Sequence, residues 1–258
     1  MIANYHTHTP RCHHAGGSER EYIENAIKLG FCELGFADHA PMPFDDGYIS
    51  GIRMSLDDTE DYVNTLLDLR REYEKDIKIF IGFEAEYYPR YFERFLDFLS
   101  QYPIDYLIMG QHYCGNEHDH YPHNASTTES VEHLKKYVDQ VIEGLSTGKF
   151  SYLAHPDMLN FIGDREAYRS EMTRLIEFMK MNDLPLEINL LGLAGNRHYP
   201  NPEFWSIVSD IGAKVIFGCD AHEPRGIIYP GTLERAEKIV SDNEGLSLID
   251  KLNLRPLK

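Results

Sequence analysis

The chain is short of cysteine, of long apolar runs and of basic side chains, and each shortage narrows what it can be. Its four cysteines, Cys12, Cys32, Cys114 and Cys219, stand at unpaired spacings in 258 residues. That pattern argues against a disulfide framework and against a structural zinc knuckle built on clustered thiolates. No uninterrupted apolar run approaches the roughly 18 residues of a membrane span, so no membrane association is expected. The opening MIANYHTHTP lacks the basic and apolar stretches of a signal peptide, and a reducing, cytoplasmic setting is expected. Lys and Arg number 25 against 42 Asp and Glu, a formal charge of −17. Such a balance repels a phosphate backbone unless basic groups gather in one groove. Arg70 with Arg71, and Lys135 with Lys136, sit instead among acidic residues in helical patterns and read as solvated faces. No long nucleic-acid partner is expected.

What is present is an alternation. Seven short apolar or alternating runs, at 3–8, 33–39, 78–87, 106–113, 152–157, 185–190 and 214–222, are too short for helices and read as strands. Amphipathic stretches lie between or after them at 19–29, 57–73, 91–100, 131–145, 165–181, 203–211 and 233–241. Leu56, Val63, Leu66, Leu67 and Leu69 recur at roughly helical intervals between charged residues, and Asp57 offers an N-cap. Strand and helix in turn favour a parallel sheet with helical crossovers, either a closed barrel or an open doubly wound sheet. No repeat, low-complexity tract or linker divides the chain, so residues 1–258 form one expected domain. Residues 41–55, rich in Gly, Pro and Asp, read as a long loop. The final LSLIDKLNLRPLK packs either across the barrel bottom or on a partner, and nothing favours a monomer over a dimer.

Of the 13 histidines, several stand where those strands end. His6 and His8 close the first, His39 the second, His112 the fourth, His155 the fifth, and Asp220 with His222 the seventh; Glu84 lies late in the third. In either parallel architecture the carboxyl ends of the strands converge on one site. Alternate residues of a strand share a face, so His6 with His8, and Asp220 with His222, each point one way. Imidazole and carboxylate together suit zinc, manganese or iron. Any one of these histidines alone reads as a buried side chain satisfied by backbone; their recurrence at successive strand ends points to a metal site.

The strings HTHTPRCHH at 6–14, ADHAPMP at 37–43, GFEAEY at 82–87, GQHY at 110–113, AHPD at 154–157 and CDAH at 219–222 resemble the PHP (polymerase and histidinol phosphatase) family, in order along nearly the whole chain. The likeness is greatest to its histidinol-phosphate phosphatases. The resemblance implies a distorted (β/α)7 barrel and three divalent metal ions. By position, His6, His8, Glu84 and Asp220 would hold the first, with Glu84 bridging to a second held by His112 and His155. His14, His39 and His222 would hold the third, His14 being preferred to His13 by its spacing from the HxH pair. His133 and His198 are not expected ligands.

A cluster of divalent ions lowers the pKa of a water and neutralises phosphoryl oxygens, which suits hydrolysis of a phosphate monoester by direct attack. No Ser or Cys stands out as an activated nucleophile; Cys12 and Cys219 adjoin ligands but read as packing. Arg197, in the glycine-containing loop after the sixth strand, is the first candidate to grip the phosphate, and Arg53 the second. His198 is a candidate general acid for the leaving alkoxide, alongside Glu84 and Asp220 as catalytic ligands. Asp38 and Asp157 are expected either to orient imidazoles from behind or to stand as plain strand-end carboxylates. The loop 117–124, with His118, His120 and His123, is a mobile-loop candidate for touching substrate. Asn160 stands where relatives are expected to carry a basic residue.

The leading expectation is therefore a cytoplasmic phosphatase converting L-histidinol phosphate to L-histidinol and phosphate in histidine biosynthesis. Three alternatives keep the metal site: a phosphodiesterase or exonuclease on short nucleotides, a C–N-cleaving amidohydrolase-like enzyme, and a non-catalytic metal-binding module. The second of these expects a metal-bridging lysine, and no lysine ends any of the seven strands.

Overall fold

The computed structural model describes residues 1–257. Its strands are β1 (Ala3–Asn4), β2 (Glu33–His39), β3 (Lys78–Ala85), β4 (Tyr106–Met109), β5 (Phe150–Leu153), β6 (Leu186–Asn189), β7 (Lys214–Gly218) and β8 (Ser247–Leu248). All are parallel, and each pairs with the next in chain order. The helices are α1 (Glu19–Lys28), α2 (Thr59–Glu72), α3 (Phe92–Leu99), α4 (Val131–Ser146), α5 (Arg165–Met181), α6 (Leu190–Ala194), α7 (Pro202–Ile211) and α8 (Thr232–Asp242). Local chemistry sets several starts: Ser18 and Glu21 form a capping box on α1, and Ser130 and Asp164 accept the first free N–H groups of α4 and α5. Asp57 does not cap α2; the cap position falls on Asp58, whose carboxylate bonds to Ser55 instead.

The sheet curls into a single-domain distorted β/α barrel, the expected seven strands being joined by β8 at the edge. Its ends meet at the mouth, where Thr7 bridges to Ala221 and the His8 N–H donates to the Ala221 carbonyl at 2.9 Å. Side-chain alternation then sorts the core into two layers. Tyr106 and Ile108 of β4 point into the barrel with Tyr5, Tyr152 and Ile216, while Leu107 and Met109 face the helices.

Six of the seven expected strands stop before their pattern does, and only β2 keeps its expected bounds. Ala3 and Tyr5 face inward, yet so do His6 and His8, so the alternation changes phase after β1. The Asn4 side chain bridges the break: Oδ1 accepts the His6 and Cys219 N–H groups, and Nδ2 donates to the His6 carbonyl and Thr7 hydroxyl. The fourth strand stops at Met109, before Gly110. The sequence pattern also missed an eighth strand and the short α6. β8 begins the C-terminal tail, which crosses the barrel bottom, with Ile249, Leu252 and Leu254 under the inner core and Lys251 paired to Glu33.

Candidate metal centre

Glu84, near the end of β3, is the middle of the mouth. Its Oε2 lies 3.5 Å from Nε2 of His6, 3.5 Å from Nε2 of His8 and 3.1 Å from Nδ1 of His39. Its Oε1 lies 3.5 Å from Nε2 of His112 and 2.8 Å from Nε2 of His155. Asp220 Oδ1 approaches Nε2 of His8 at 3.2 Å and of His6 at 3.6 Å. Two backbone positions are strained to achieve this, because His155 and Asp220 both have positive φ, at 29° and 50°. Non-glycine residues in that region cost free energy and gather at functional sites. Gly110 leaves the space Glu84 occupies: a Cβ there would fall 1.8 Å from Glu84 Oε1. His14 follows a 3₁₀ turn at Pro10–Cys12, and its ring joins His39 and His222 in one group whose ligand atoms lie within 4.8 Å of one another. His13 turns away, lining a different hollow beside Met42 and Asp57.

The expected ligands are thus brought together, and for five of the seven imidazoles a partner behind the ring fixes which nitrogen it offers. Nδ1 of His6 is held by Glu187 at 2.8 Å, of His112 by Glu86 at 3.0 Å, of His14 by the Cys12 carbonyl at 2.7 Å and of His222 by the Asp220 carbonyl at 3.0 Å. Asp38 approaches Nδ1 of His8 at 3.4 Å. In all five rings Nε2 is left for the mouth, the arrangement of metal-binding histidines oriented from behind. Nε2 of His6 and His8, Nδ1 of His39 and Oε2 of Glu84 are buried without a hydrogen-bond partner. Buried polar atoms are rarely left so, and cations among them would satisfy all four.

The charges agree with that fit. Burial disfavours an ionised Glu84, yet the imidazoles of His112, His39 and His6 outweigh it and hold the carboxyl well below its usual range. Asp220 is lowered in the same way, burial being overcome by His6, His8 and His222. Burial also opposes charge on His6, but Glu187, Asp220 and Glu84 push the ring up to about 10. His39 is kept well below its ordinary value by burial, and His222 falls to about 3 by burial and the neighbouring His8 charge. Buried carboxylates packed among imidazoles, two of which, His39 and His222, are held neutral, form a cation site by their chemistry.

A cavity of about 600 Å³ opens over the cluster, with Tyr113, His123, Met158, Leu191, Arg197 and His198 on its walls. Arg197 is exposed, and its guanidinium lies beside Tyr199 on the cavity side. Arg53 does not reach it: the side chain is 2% exposed and its fork is bound to Glu86, Glu117 and the Ala40 carbonyl, leaving no donor for a phosphate. His198 lines the cavity, but its Nε2 is 2.6 Å from the Met158 carbonyl. A carbonyl only accepts, so the proton of this ring, whose pKa burial lowers, is committed there and is not free for a leaving group. Of the 117–124 loop, His123 reaches the cavity, whereas His118 bonds to Asp46 and stacks on Tyr48. Asp38 stands behind His8, as expected; Asp157 instead accepts from Asn201 N–H and Trp205 Nε1 and anchors the start of α7. Cys12 is buried with Sγ near His8 and His222.

Glu86 and Glu187 were not singled out by the sequence reading. Both stand two residues from another polar inward position, Glu84 and Asn189, at the end of an apolar strand. That spacing of two, already used for His6 with His8, is the signal that would have found them.

Histidines past the strand ends around one carboxylate, on a curled parallel β/α barrel sheet, define a barrel metalloenzyme class. A model of the PHP domain matches residues 4–190, and the chain belongs to the PHP domain family. It is 28% identical over 229 residues to a Deinococcus radiodurans protein named "Probable histidinol-phosphatase", covering 86% of this chain and 87% of that one. To the histidinol-phosphatase of Bacillus subtilis it is 25% identical over 264 residues, covering 89% and 97%. The fold matches that of a histidinol phosphate phosphatase from Lactococcus lactis, solved with zinc, L-histidinol and phosphate, at a TM-score of 0.74 and 18% identity, covering 96% and 95% of the two chains.

Proposed function

We propose that this protein hydrolyses a phosphate monoester with divalent metal ions, and that the ester is L-histidinol phosphate, released as L-histidinol and phosphate for histidine biosynthesis in the cytoplasm. The observation that carries the reading is the set of imidazoles whose Nδ1 atoms are held from behind while their Nε2 atoms converge on Glu84 and Asp220. Relatives named for this activity that align over most of their length support the substrate.

The donor set would accommodate three ions. His6, His8, Glu84 and Asp220 would hold the first, Glu84, His112 and His39 the second, and His14, His39 and His222 the third, with His155 beside Glu84 Oε1 and also grouped with His6 and Asp220. Bound there, zinc, manganese or iron supplies positive charge to the phosphoryl oxygens and lowers the pKa of water. The chain's own residues do the rest. Glu84 and Asp220 keep their carboxylates ionised between the imidazoles, Arg197 offers its fork to the phosphate from the rim, and apolar Met158 and Leu191 exclude water beside the ester. Among the described residues, no serine, threonine, cysteine or lysine lines the cavity. That lining supports direct hydrolysis over a seryl or cysteinyl phosphoenzyme and counts against a C–N-cleaving site with a bridging lysine.

The test is to load the purified protein with zinc, manganese or iron and compare phosphate release from histidinol phosphate, generic monoesters and diesters. Preference for histidinol phosphate in kcat/KM is expected. Equal efficiency on all three would remove the specific assignment, and activity confined to diesters would replace the reaction.

A further inference from the structure

Behind the metal cluster lies a second ionic group that the proposed reaction does not use. Arg53, Glu86 and Glu117 are 2%, 0% and 8% exposed. They come from the long loop after β2, the end of β3 and the loop after β4. All five N–H groups of the guanidinium are engaged. Nε donates to Glu117 Oε2 at 2.8 Å, and Nη1 to Glu86 Oε2 at 2.9 Å and to the Ala40 carbonyl at 3.1 Å. Nη2 donates to Glu86 Oε1 at 3.0 Å and faces Glu117 Oε2 at 2.7 Å. A dry guanidinium with two carboxylates is expensive to assemble, and a lone structural role is a weak reason to keep one.

Two of these bonds lead straight to the metal centre. Ala40 directly follows His39, and Glu86 Oε1 is also the acceptor that holds Nδ1 of His112 at 3.0 Å. His39, Glu84 and His112 form one of the groups whose ligand atoms lie within 4.8 Å of one another. One guanidinium therefore braces the carboxylate that holds the His112 imidazole and the backbone that directly follows His39. The remaining bonds lead outward. Glu117 Oε1 accepts from Tyr48 OH at 2.9 Å and Ser50 Oγ at 2.5 Å, joining the loop after β2 to the loop after β4. Those two loops carry Ile52, His123 and Ala125 to the cavity wall.

We propose that Arg53 is a positioning residue that makes cation loading of the His39–Glu84–His112 group and closure of the two cavity-wall loops one linked equilibrium. The inference rests on the reading of the cluster as a metal centre. When His112 ligates through Nε2, its Nδ1–H becomes a stronger donor to Glu86, which fastens Glu86 to the fork and the fork to Glu117. Linkage is reciprocal, so whatever orders the loops must tighten this one metal group by the same factor.

The experiment is a Mn²⁺ or Zn²⁺ binding isotherm on the whole chain, with amide hydrogen exchange over residues 41–58 and 114–124 followed with and without metal. In the wild type, metal is expected to slow exchange in both loops. Glu86→Gln should weaken one class of site about 10–100-fold and leave the others, the usual range for a group orienting a ligand. Glu117→Gln should weaken that same class about fivefold, near the lower end of measured couplings, and abolish the response of the loops to metal. Arg53→Lys, which keeps the charge but not the fork, should restore only part of what Arg53→Met loses. If Arg53→Met does not fold, the two glutamine variants, each retaining a one-to-one ion pair, decide the matter. The proposal is overturned if Glu86→Gln binds every metal as the wild type does or weakens all sites equally, or if the loops of Glu117→Gln still respond to metal. A wild type that binds no metal overturns the metal centre itself, a result distinct from either.

Discussion

Gly110→Ala adds a single methyl group, and its consequence can be worked from the coordinates. The new Cβ would stand 1.8 Å from Glu84 Oε1, 2.6 Å from Cδ and 2.8 Å from Cγ. Ordinary contact begins at 3.4 Å, so Oε1 must retreat by about 1.6 Å. Carboxylate–zinc bonds are about 2.0–2.2 Å long with little tolerance, so this shift removes the central ligand from any ion it serves. Gly110 is not among the residues with positive φ, so the backbone accepts alanine, and the three atoms nearest the new Cβ all belong to Glu84. A misplacement of about 1 Å costs about 100-fold in rate, and at least that loss in kcat is expected. The overpacking itself costs about 1–3 kcal/mol, which lowers Tm by a few degrees without unfolding the chain. Metal content after dialysis, phosphate release and thermal melting are measured together. Adding Glu84→Asp shortens the offending side chain by about one C–C bond, ~1.5 Å, and should recover part of both metal and turnover. If Gly110→Ala keeps wild-type metal content and turnover within about twofold, Glu84 is not the centre of the site.

Glu187→Ala removes the acceptor for Nδ1 of His6 and also strands Tyr152 OH and the His155 N–H, which it holds at 3.2 and 2.9 Å. Metal affinity should fall about 10–100-fold and Tm should drop; unchanged metal binding would mean that His6 is not a ligand. Arg197→Ala should lower kcat/KM on a phosphate monoester about 10–100-fold, with little recovery in Arg197→Lys because the planar fork is lost. Full recovery by lysine would reduce the role of Arg197 to plain charge. Stripping the protein with a chelator should abolish turnover and lower Tm, since a ligand present at 100 times its Kd contributes about 2.7 kcal/mol. A stripped protein that melts as before would place the metal outside the folded core.

The two substrate residues the sequence suggested and the structure redirected share one cause. Arg53 and His198 were chosen for lying in loops at the mouth, and both do. Chain position does not reveal that Glu86 and Glu117, 33 and 64 residues away, take the Arg53 fork, or that the Met158 carbonyl, 40 residues away, takes the His198 proton. Long-range partners of that kind arise only once the strands have been brought side by side.

The amino-acid sequence by itself determined the alternation of strand and helix, and with it the parallel order of the sheet, because periodicity and turn chemistry are local properties of the chain. It also determined which residues arrive at the mouth, since a residue that ends a parallel strand has no other place to go. Only the tertiary structure decided what each of them does there. The phase change after Asn4 turns His6 and His8 inward, the space above Gly110 admits Glu84, and Glu187, Glu86 and Asp38 choose the nitrogen that each imidazole presents. Those choices depend on distances of a few ångströms between side chains far apart in sequence, and only packing sets such distances.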